Sequence, residues 1–523
     1  MTAAEAGETH PRAGDRSVGA LLFAAMCAAY LTTAGGSLAT SDAVVTYDVT
    51  RQMVEHHTVA LSADLVGNDA YRGADGRFYS PFGILQALWN IPFYLAGRVG
   101  YSALPAHTIN EELATKAAVA LGNSVTAALV VWLVWRLAGL TTSNARVALA
   151  AALAAGFGTS LWPYSKFGFN VPLSALLVTA VVYFSLGAIR TGRGRAAWLA
   201  GTMCGFALLT RHEFAMLACS SVAAIGWYRR RDALRAVSLW ALGAVPGFLV
   251  WASYNATRYG SPFETGYLKD QTLGMGGSLL GGLWGQMASP GASVFLYAPA
   301  MLLASVAVVA IRRREPALAS LVGGATLLFA LFYAQLDSWA GGRSYGPRYL
   351  VPFMPLMCVP LAAWFGDGRR TLRALAVAVC VLSGLVQLPG VLVDFAKVRV
   401  EFARAANVTY ETRLHAWSTS PLALNLSASV EAVPRVARHM MGGDPKPAVI
   451  RGDAGQARDF SQQFAFSLDF WWIYLFYLGV VPAWMSLVMG ATLGLAAFGL
   501  WVAAWRRATA LSPLSAASRA RVS

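Results

Sequence analysis

Five short stretches hold residues whose types could do chemistry together. Thr40 to Glu55, TSDAVVTYDVTRQMVE, places Asp42, Asp48, Arg51 and Glu55 directly after an apolar run from Ala20 through Ala34. LTRHEF, Leu209 to Phe214, sets Arg211, His212 and Glu213 side by side between two apolar runs, and WPYSKFGFNVP, Trp162 to Pro172, does the same with Lys166. DSWAGGRSYGPRYLVPFMP, Asp337 to Pro355, surrounds Trp339, Arg343 and Arg348 with glycine and proline; YNATRYGSPFETGY, Tyr254 to Tyr267, is similarly punctuated. Charge at the mouth of an apolar span is unfavourable unless it is paired or serves a pathway, so each stretch is a candidate site. A carboxylate can take a proton, and guanidinium groups beside glycine-exposed amides suit a phosphate. The pattern suits a phosphate-bearing ligand held beside a group able to take a proton.

Asp42 is the candidate catalytic base. It falls in the first turn after the span, whereas Asp48 and Glu55 flank Arg51 at helical spacing and read as a solvated, paired face. A charge complementing a helix N-terminus is the plain alternative for Asp42. Lys166, Arg211, Arg343 and Arg348 are candidate phosphate ligands, with snorkelling to the headgroups as the alternative for Arg343 and Arg348. Asp48, His212, Glu213, Tyr267 and Trp339 are candidate substrate contacts, against the alternative that Arg211 and Glu213 only pair with each other. No second histidine stands three or four residues from His212, so spacing assigns no metal ligands. A divalent cation is compatible with the chemistry and not demanded by it.

The elements that must position these residues are apolar helices. Of 523 residues, 56% are hydrophobic and only 13% charged, with a mean hydropathy of +0.50. Apolar runs near the length a bilayer span needs recur along the chain, and about twelve transmembrane helices are predicted. They lie at 18–35, 113–135, 147–163, 171–189, 196–210, 214–228, 234–254, 292–311, 317–334, 348–365, 372–393 and 483–505. The net charge of +15 would suggest nucleic acid only if basic residues lined one face; instead they cluster between apolar runs. Arg136 with Arg146, Arg190 to Arg195, Arg229 to Arg235, Arg312 to Arg314, Arg369 to Arg373 and Arg506 with Arg507 occupy alternate connections, which the positive-inside rule makes cytoplasmic. The longer connections 36–112, 255–291, 335–347 and 394–469 then face outward from the plasma membrane. All five cysteines lie inside apolar runs and set no disulfide spacing.

This layout is a leader at 1–17, a membrane core at 18–393, an extracytoplasmic segment at 394–469, an interfacial segment and last span at 470–505, and a cytoplasmic tail at 506–523. Within the first outer connection, residues 41–56 read as an amphipathic helix along the interface, capped by Ser41, with Val45, Val49 and Met53 on one face. Asp75-Gly76 marks a tight turn. The apolar stretch after Ser80-Pro81, interrupted by Pro92, is short for a span and reads as a second interfacial or re-entrant helix. Segment 394–469 is mostly polar and is expected to help cover the acceptor site, and Phe470 to Val481 reads as an aromatic interfacial belt.

In their order along the chain, Asp42, GADGRFYSPFGILQALWNIPFYLAG (Gly73 to Gly97), WPYSKFGFNVP, YNATRYGSPFETGY with SPGASVFLYAP, and WAGGRSYGPRYLVPFMP resemble the bacterial integral-membrane glycosyltransferases of the GT-C fold. More narrowly, they resemble the phospholipid-carrier-dependent, protein-mannosyltransferase-like group, from the first span to about Phe365. The resemblance implies an all-α polytopic fold and transfer of a sugar from a polyprenyl-phosphate donor to an outer-face glycan, lipid or protein, with Asp42 matching the acidic base. Many members follow that acid with a second one, where this chain has Ala43; relatives often carry Glu where it has Asn170 before Val171-Pro172. One carboxylate acting in a single displacement inverts the anomeric centre. A multi-pass transporter or flippase of an anionic or lipid-linked substrate is the alternative, and it calls for two repeated halves with matching broken helices.

Overall fold

The computed structural model describes residues 13–65, 70–103, 109–266, 274–342, 344–398, 410–446 and 467–511. The chain begins with α1 (Ala13–Thr33) and α2 (Ser41–His56), then a small hairpin of β1 (Tyr71–Arg72) and β2 (Phe78–Tyr79), then α3 (Leu85–Ser102). There follow α4 (Glu111–Ala138), α5 (Ala145–Phe157), the single turn α6 (Leu161–Tyr164), α7 (Val171–Thr191), α8 (Gly194–Leu208), α9 (Leu217–Tyr228) and α10 (Ala233–Tyr259). Next come α11 (Leu279–Ala288), α12 (Val294–Tyr297), α13 (Ala300–Ile311), α14 (Pro316–Ala334), α15 (Met354–Met357), α16 (Ala362–Phe365) and α17 (Arg370–Leu392). The chain closes with α18 (Tyr410–His415), α19 (Pro421–Met441), α20 (Trp471–Tyr477) and α21 (Ala483–Ala510).

Helix forms at each of the predicted span positions, and the protein is an all-α, multi-pass membrane protein. Among the described residues seven helices, α1, α4, α7, α10, α14, α17 and α21, are long and apolar enough to cross a bilayer. Of the others, α8 keeps its predicted length, whereas α5, α9 and α13 are shorter than predicted. α8 has 15 residues and α9 has 12, which at about 1.5 Å per residue is less than the roughly 30 Å hydrocarbon core. Proline explains two of the interruptions: Pro299 separates α12 from α13, and Pro352, Pro355 and Pro360 break 351–365 into short turns, because proline cannot donate the helical hydrogen bond.

The core joins α1 to the bundle through Val18, Leu22, Met26 and Tyr30, which meet Val131 and Val134 of α4 and Ala151 and Ala155 of α5 in one buried cluster. α8 and α10 approach through glycines spaced four apart, Gly201 and Gly205 on one helix and Gly243 and Gly247 on the other. A Cβ on Gly201 would stand 1.8 Å from the Trp240 carbonyl oxygen, and one on Gly243 would stand 2.0 Å from that of Trp198. Lipid gives no hydrophobic drive for two helices to meet, so this backbone proximity supplies the dispersion contacts. α10 also reaches the turn between α8 and α9, where Arg211, His212 and Glu213 sit, through the Trp251 indole N–H, which donates to His212 Nδ1 at 2.8 Å.

The first outer connection is more deeply packed than its sequence suggests. Thr40 rather than Ser41 caps α2: its backbone is extended and its Oγ1 accepts from the Ala43 amide at 3.3 Å. α2 buries Val45 and Val49 as predicted, but also Tyr47 and Asp48, so it is wedged against α3 and α4 instead of floating on the interface. Asp75-Gly76 does turn the hairpin, with Gly76 at φ +82°. The aromatic stretch after Phe470 packs inward through Ile473, Tyr474, Phe476 and Tyr477, with Trp471 and Trp472 half-buried. The indole N–H groups of Trp471 and Trp472 donate to the carbonyls of Leu31 and Thr32 at 2.8 Å, clasping the end of α1.

Gly243→Val should separate α8 from α10 and lower the thermal stability of the purified protein by an amount equivalent to about 1–3 kcal/mol. Gly226→Val on α9, where a Cβ meets nothing within 4 Å, should leave the melting temperature unchanged. Equal behaviour of the two variants would show that the glycine contact is not what joins these helices.

Candidate active site

A cavity of about 260 Å³ opens where several helix ends converge. Asp42 enters it from the start of α2, Asn170 from the start of α7, and Arg211, His212 and Glu213 from the α8–α9 turn. Tyr333 and Leu336 come from the end of α14, and Arg348 and Tyr349 from the Gly/Pro-rich segment beyond it. The opposite ends of these helices carry the basic clusters: Arg190 closes α7, Arg229 to Arg231 follow α9, and Arg235 opens α10. Arg190 meets Glu315, just before α14, at 2.5 Å, which sets those ends at one level. The cavity therefore lies on the face remote from the arginine-rich connections.

The loop that delivers Arg348 is built by glycine. Gly341, Gly342 and Gly346 have φ of +78°, +73° and +71°, a region that side-chain-bearing residues rarely adopt. Between them Tyr345 is buried; its hydroxyl donates to the Val386 carbonyl at 2.6 Å, while its own carbonyl accepts from Tyr164 at 3.3 Å. With the loop pinned this way, Arg348 turns into the cavity and its Nη1 reaches Asp42 Oδ2 at 3.1 Å. The pair is neither sealed nor fully solvated, the side chains being 19% and 27% exposed. Among the described residues, Arg348 Nε is buried without a hydrogen-bond partner. The backbone amides expected to face a ligand are partly engaged elsewhere: those of Gly341, Ser344, Arg348 and Leu350 bond within the loop itself.

A second ion pair faces the first. Arg211 Nε donates to Glu213 Oε1 at 2.8 Å, and the Tyr333 hydroxyl donates to the same oxygen at 2.9 Å. Burial is the largest single influence and would raise the Glu213 pKa, but Arg211, a backbone hydrogen bond, the Tyr333 hydroxyl and His212 together outweigh it and the net shift is downward. Tyr333 and Tyr349 stack with centroids 4.6 Å apart. Both guanidinium groups lie against Tyr349, Arg211 at 5.1 Å and Arg348 at 5.3 Å from the ring centre. Two cations thus flank one aromatic plate. His212 Nδ1 accepts from the Trp251 indole N–H at 2.8 Å and its Nε2 donates to the Pro81 carbonyl at 3.2 Å, an arrangement that calls for a neutral ring. Burial pushes the His212 pKa below its ordinary 6.5.

Asp42, Arg211, His212, Glu213 and Arg348 are therefore brought together. Lys166 is not with them: it is fully buried, 2.9 Å from Asp469, and also donates to the Val391 carbonyl. Its charge is engaged before any phosphate could arrive. Asp48 is also outside the cavity, paired with Arg51 at 2.6 Å and accepting from the Ser62 amide at 2.8 Å; the expected pairing exists but is buried rather than solvated. Trp339 fills the space over Gly285 and packs with Ala292, Ala340 and Leu414. Arg343 and Tyr267 lie outside the described residues. Sequence reasoning missed Asn170, Thr210, Tyr333 and Tyr349 as cavity walls. Tyr349 adjoins a named arginine and Asn170 lies in a named motif, whereas Tyr333 ends an ordinary apolar span and carries no local signal.

The protein-family model described as dolichyl-phosphate-mannose-protein mannosyltransferase matches residues 110–254, a stretch that holds Asn170, Arg211, His212 and Glu213 but neither Asp42 nor Arg348. No curated protein matches the chain. Similar solved structures include ArnT from Cupriavidus metallidurans in the apo state, at 13% identity and a TM-score of 0.48, covering 92% of this chain and 74% of that one. Another is the archaeal oligosaccharyltransferase AglB from Archaeoglobus fulgidus in complex with an inhibitory peptide and a dolichol-phosphate. It has 13% identity and a TM-score of 0.47, and the likeness covers 90% of this chain and 64% of AglB. At those scores neither likeness assigns a role to any residue here.

Two predictions follow from the titratable groups. The unfolded chain binds a proton at His212 near pH 6.5, while the folded one resists it to lower pH, so stability is full above 6.5 and falls as pH drops below it. His212→Gln should flatten that part of the profile when thermal unfolding is followed between about pH 8 and pH 5; an unchanged slope would mean that His212 does not titrate on unfolding. Lys166→Met should leave Asp469 buried without its countercharge and cost about 3–5 kcal/mol, largely recovered in Lys166→Met/Asp469→Leu. A Lys166→Met protein of normal stability would refute the structural role.

Proposed function

We propose that the protein is a membrane glycosyltransferase that moves a sugar from a polyprenyl-phosphate donor to an acceptor hydroxyl outside the cytoplasm, on a cell-envelope glycan, lipid or protein. The acceptor oxygen attacks the anomeric carbon, the bond from that carbon to the phosphate oxygen breaks, and its electron pair leaves with the lipid phosphate. Asp42 takes the acceptor's proton. Arg348 and Arg211 hold the charge that grows on the phosphate. Attack opposite the departing phosphate inverts the anomeric centre.

One observation carries this reading: Arg348 bonds Asp42 through Nη1 while its buried Nε has no partner among the described residues. An unbonded buried N–H is unfavourable by about 1–3 kcal/mol, and a phosphate oxygen would satisfy it. An anion drawn to Arg348 also loosens its hold on Asp42, leaving the carboxylate available as a base when the donor is in place. The matched family's description names a dolichyl-phosphate-mannose donor, and the match includes the Arg211–Glu213 turn. The cavity volume of about 260 Å³ is below the roughly 300–1,000 Å³ of pockets that enclose a whole drug-sized ligand, so it suits a sugar head while the lipid stays outside. Its position away from the basic connections supports an extracytoplasmic site under the positive-inside rule. Among the described residues no three His, Cys, Asp or Glu side chains gather to hold a cation, and the two arginines supply positive charge at the leaving group.

Asp42→Asn should reduce transfer by roughly 10²–10⁴-fold while donor binding, followed by native mass spectrometry, persists. Arg348→Ala should raise the donor KM more than the acceptor KM. Arg348→Lys should recover little, because lysine restores charge without the forked N–H groups. The assay is purified protein in liposomes offered a panel of polyprenyl-phosphate sugars, with products identified by mass. Undiminished turnover in Asp42→Asn would move the base elsewhere.

A further inference from the structure

The outer helix α19 inverts the usual pattern of a water-soluble helix. Its buried face is made of Asn425, Ser429, Ala432 and Val436. Its outward face presents Leu426, Val430 and Val433, which are 53%, 67% and 48% exposed. These recur at i, i+4 and i+7, one stripe along the helix. Glu431, Arg435 and Arg438 occupy a third sector; Glu431 pairs with Arg435 at 3.6 Å and Arg438 with Asp444 at 2.7 Å. Protein on one face, bare apolar side chains on the second and charge on the third is the composition of a helix lying where protein, lipid and water meet.

We propose that α19 rests in the outer leaflet of the membrane, with the Leu426, Val430 and Val433 stripe among the acyl chains. Continuity with the bilayer-facing surface identifies lipid as the occupant. α19 packs on α17 and touches α21, both long enough to span. The outward faces of those spans are also bare and apolar, including Val381, Leu382 and Leu385 on α17 and Trp484, Leu487 and Val488 on α21. Trp417, exposed just before α19, is a residue type that settles at headgroup depth. α11 repeats the device with Leu280, Trp284 and Met287 exposed at i, i+4 and i+7. Its C-terminal turn is tied to the same segment, the Gly291 amide donating to the Leu414 carbonyl at 3.0 Å. Because Arg435 and Arg438 already have acidic partners, apolar burial rather than lipid charge holds the helix down. α19 is thereby a membrane-bound rim and not a free lid, a conclusion independent of the proposed reaction.

The test places a benzoylphenylalanine in the full-length protein, as Val430→benzoylphenylalanine or Glu431→benzoylphenylalanine, in vesicles of phosphatidylcholine with or without phosphatidylglycerol. After irradiation, intact mass should reveal a lipid adduct at position 430 roughly fivefold more often than at position 431. The yield should be the same in both vesicle types. Equal, low adduct yields at the two positions would overturn the proposal in favour of a water-exposed helix. A covalent dimer at position 430 would overturn it in favour of a second copy of the chain. A yield that rises only with phosphatidylglycerol would overturn the claim that apolar burial is the holding force.

Discussion

Asp42 and Arg348 are separated by 306 positions, and their charged atoms meet at 3.1 Å. The rest of the cavity depends on that contact. Asp42 lies in the first turn of α2, nine residues after α1 ends, and Arg348 arrives only because three left-handed glycines and the buried Tyr345 bend its loop inward. Neither residue alone defines a site: a lone carboxylate at the start of a helix is an ordinary cap charge, and a lone arginine at a span mouth is an ordinary headgroup anchor. Their meeting gives both a second meaning.

The protein contains two kinds of ion pair, and solvent distinguishes them. Lys166 and Asp469 are both fully buried and further enclosed by Val391 and Tyr474. Such a pair must stay closed, because opening it strands a charge in a medium that cannot solvate it. It joins the loop before α7 to the chain after α19, and so belongs to architecture. The Asp42–Arg348 and Arg211–Glu213 pairs line one cavity and keep part of their surface exposed. The aromatic ring of Tyr349 lies against both guanidinium groups, at 5.1 Å from Arg211 and 5.3 Å from Arg348.

The absence of water in the bilayer explains the rest of the design. Apolar runs could be recognised because a span must be apolar throughout its exposed length, and the basic connections could be recognised because they are sorted by charge. The proline-broken and shortened helices were harder to recognise, since their residues are as apolar as those of full spans. α2 was given its correct limits from its 3.6-residue period, but its depth of burial was not, because Tyr47 and Asp48 meet partners on α3, α4 and the 58–65 strip that no local pattern announces. The facing glycines of α8 and α10 were visible as two four-residue spacings, yet spacing alone does not say that the two helices meet.

By itself the sequence determined the class of the protein, the positions and order of its apolar helical stretches, the connections in which its arginines gather, and a short roster of groups able to do acid–base and phosphate chemistry. These are local properties, encoded in composition and period. Tertiary structure alone decided which of those groups share a cavity: Asp42 with Arg348 and Arg211 with Glu213, but Lys166 with Asp469 and Asp48 with Arg51. The physical reason is that a buried charge takes whichever opposite charge the packed backbone brings within reach, and that choice is made by contacts between helices far apart in the chain.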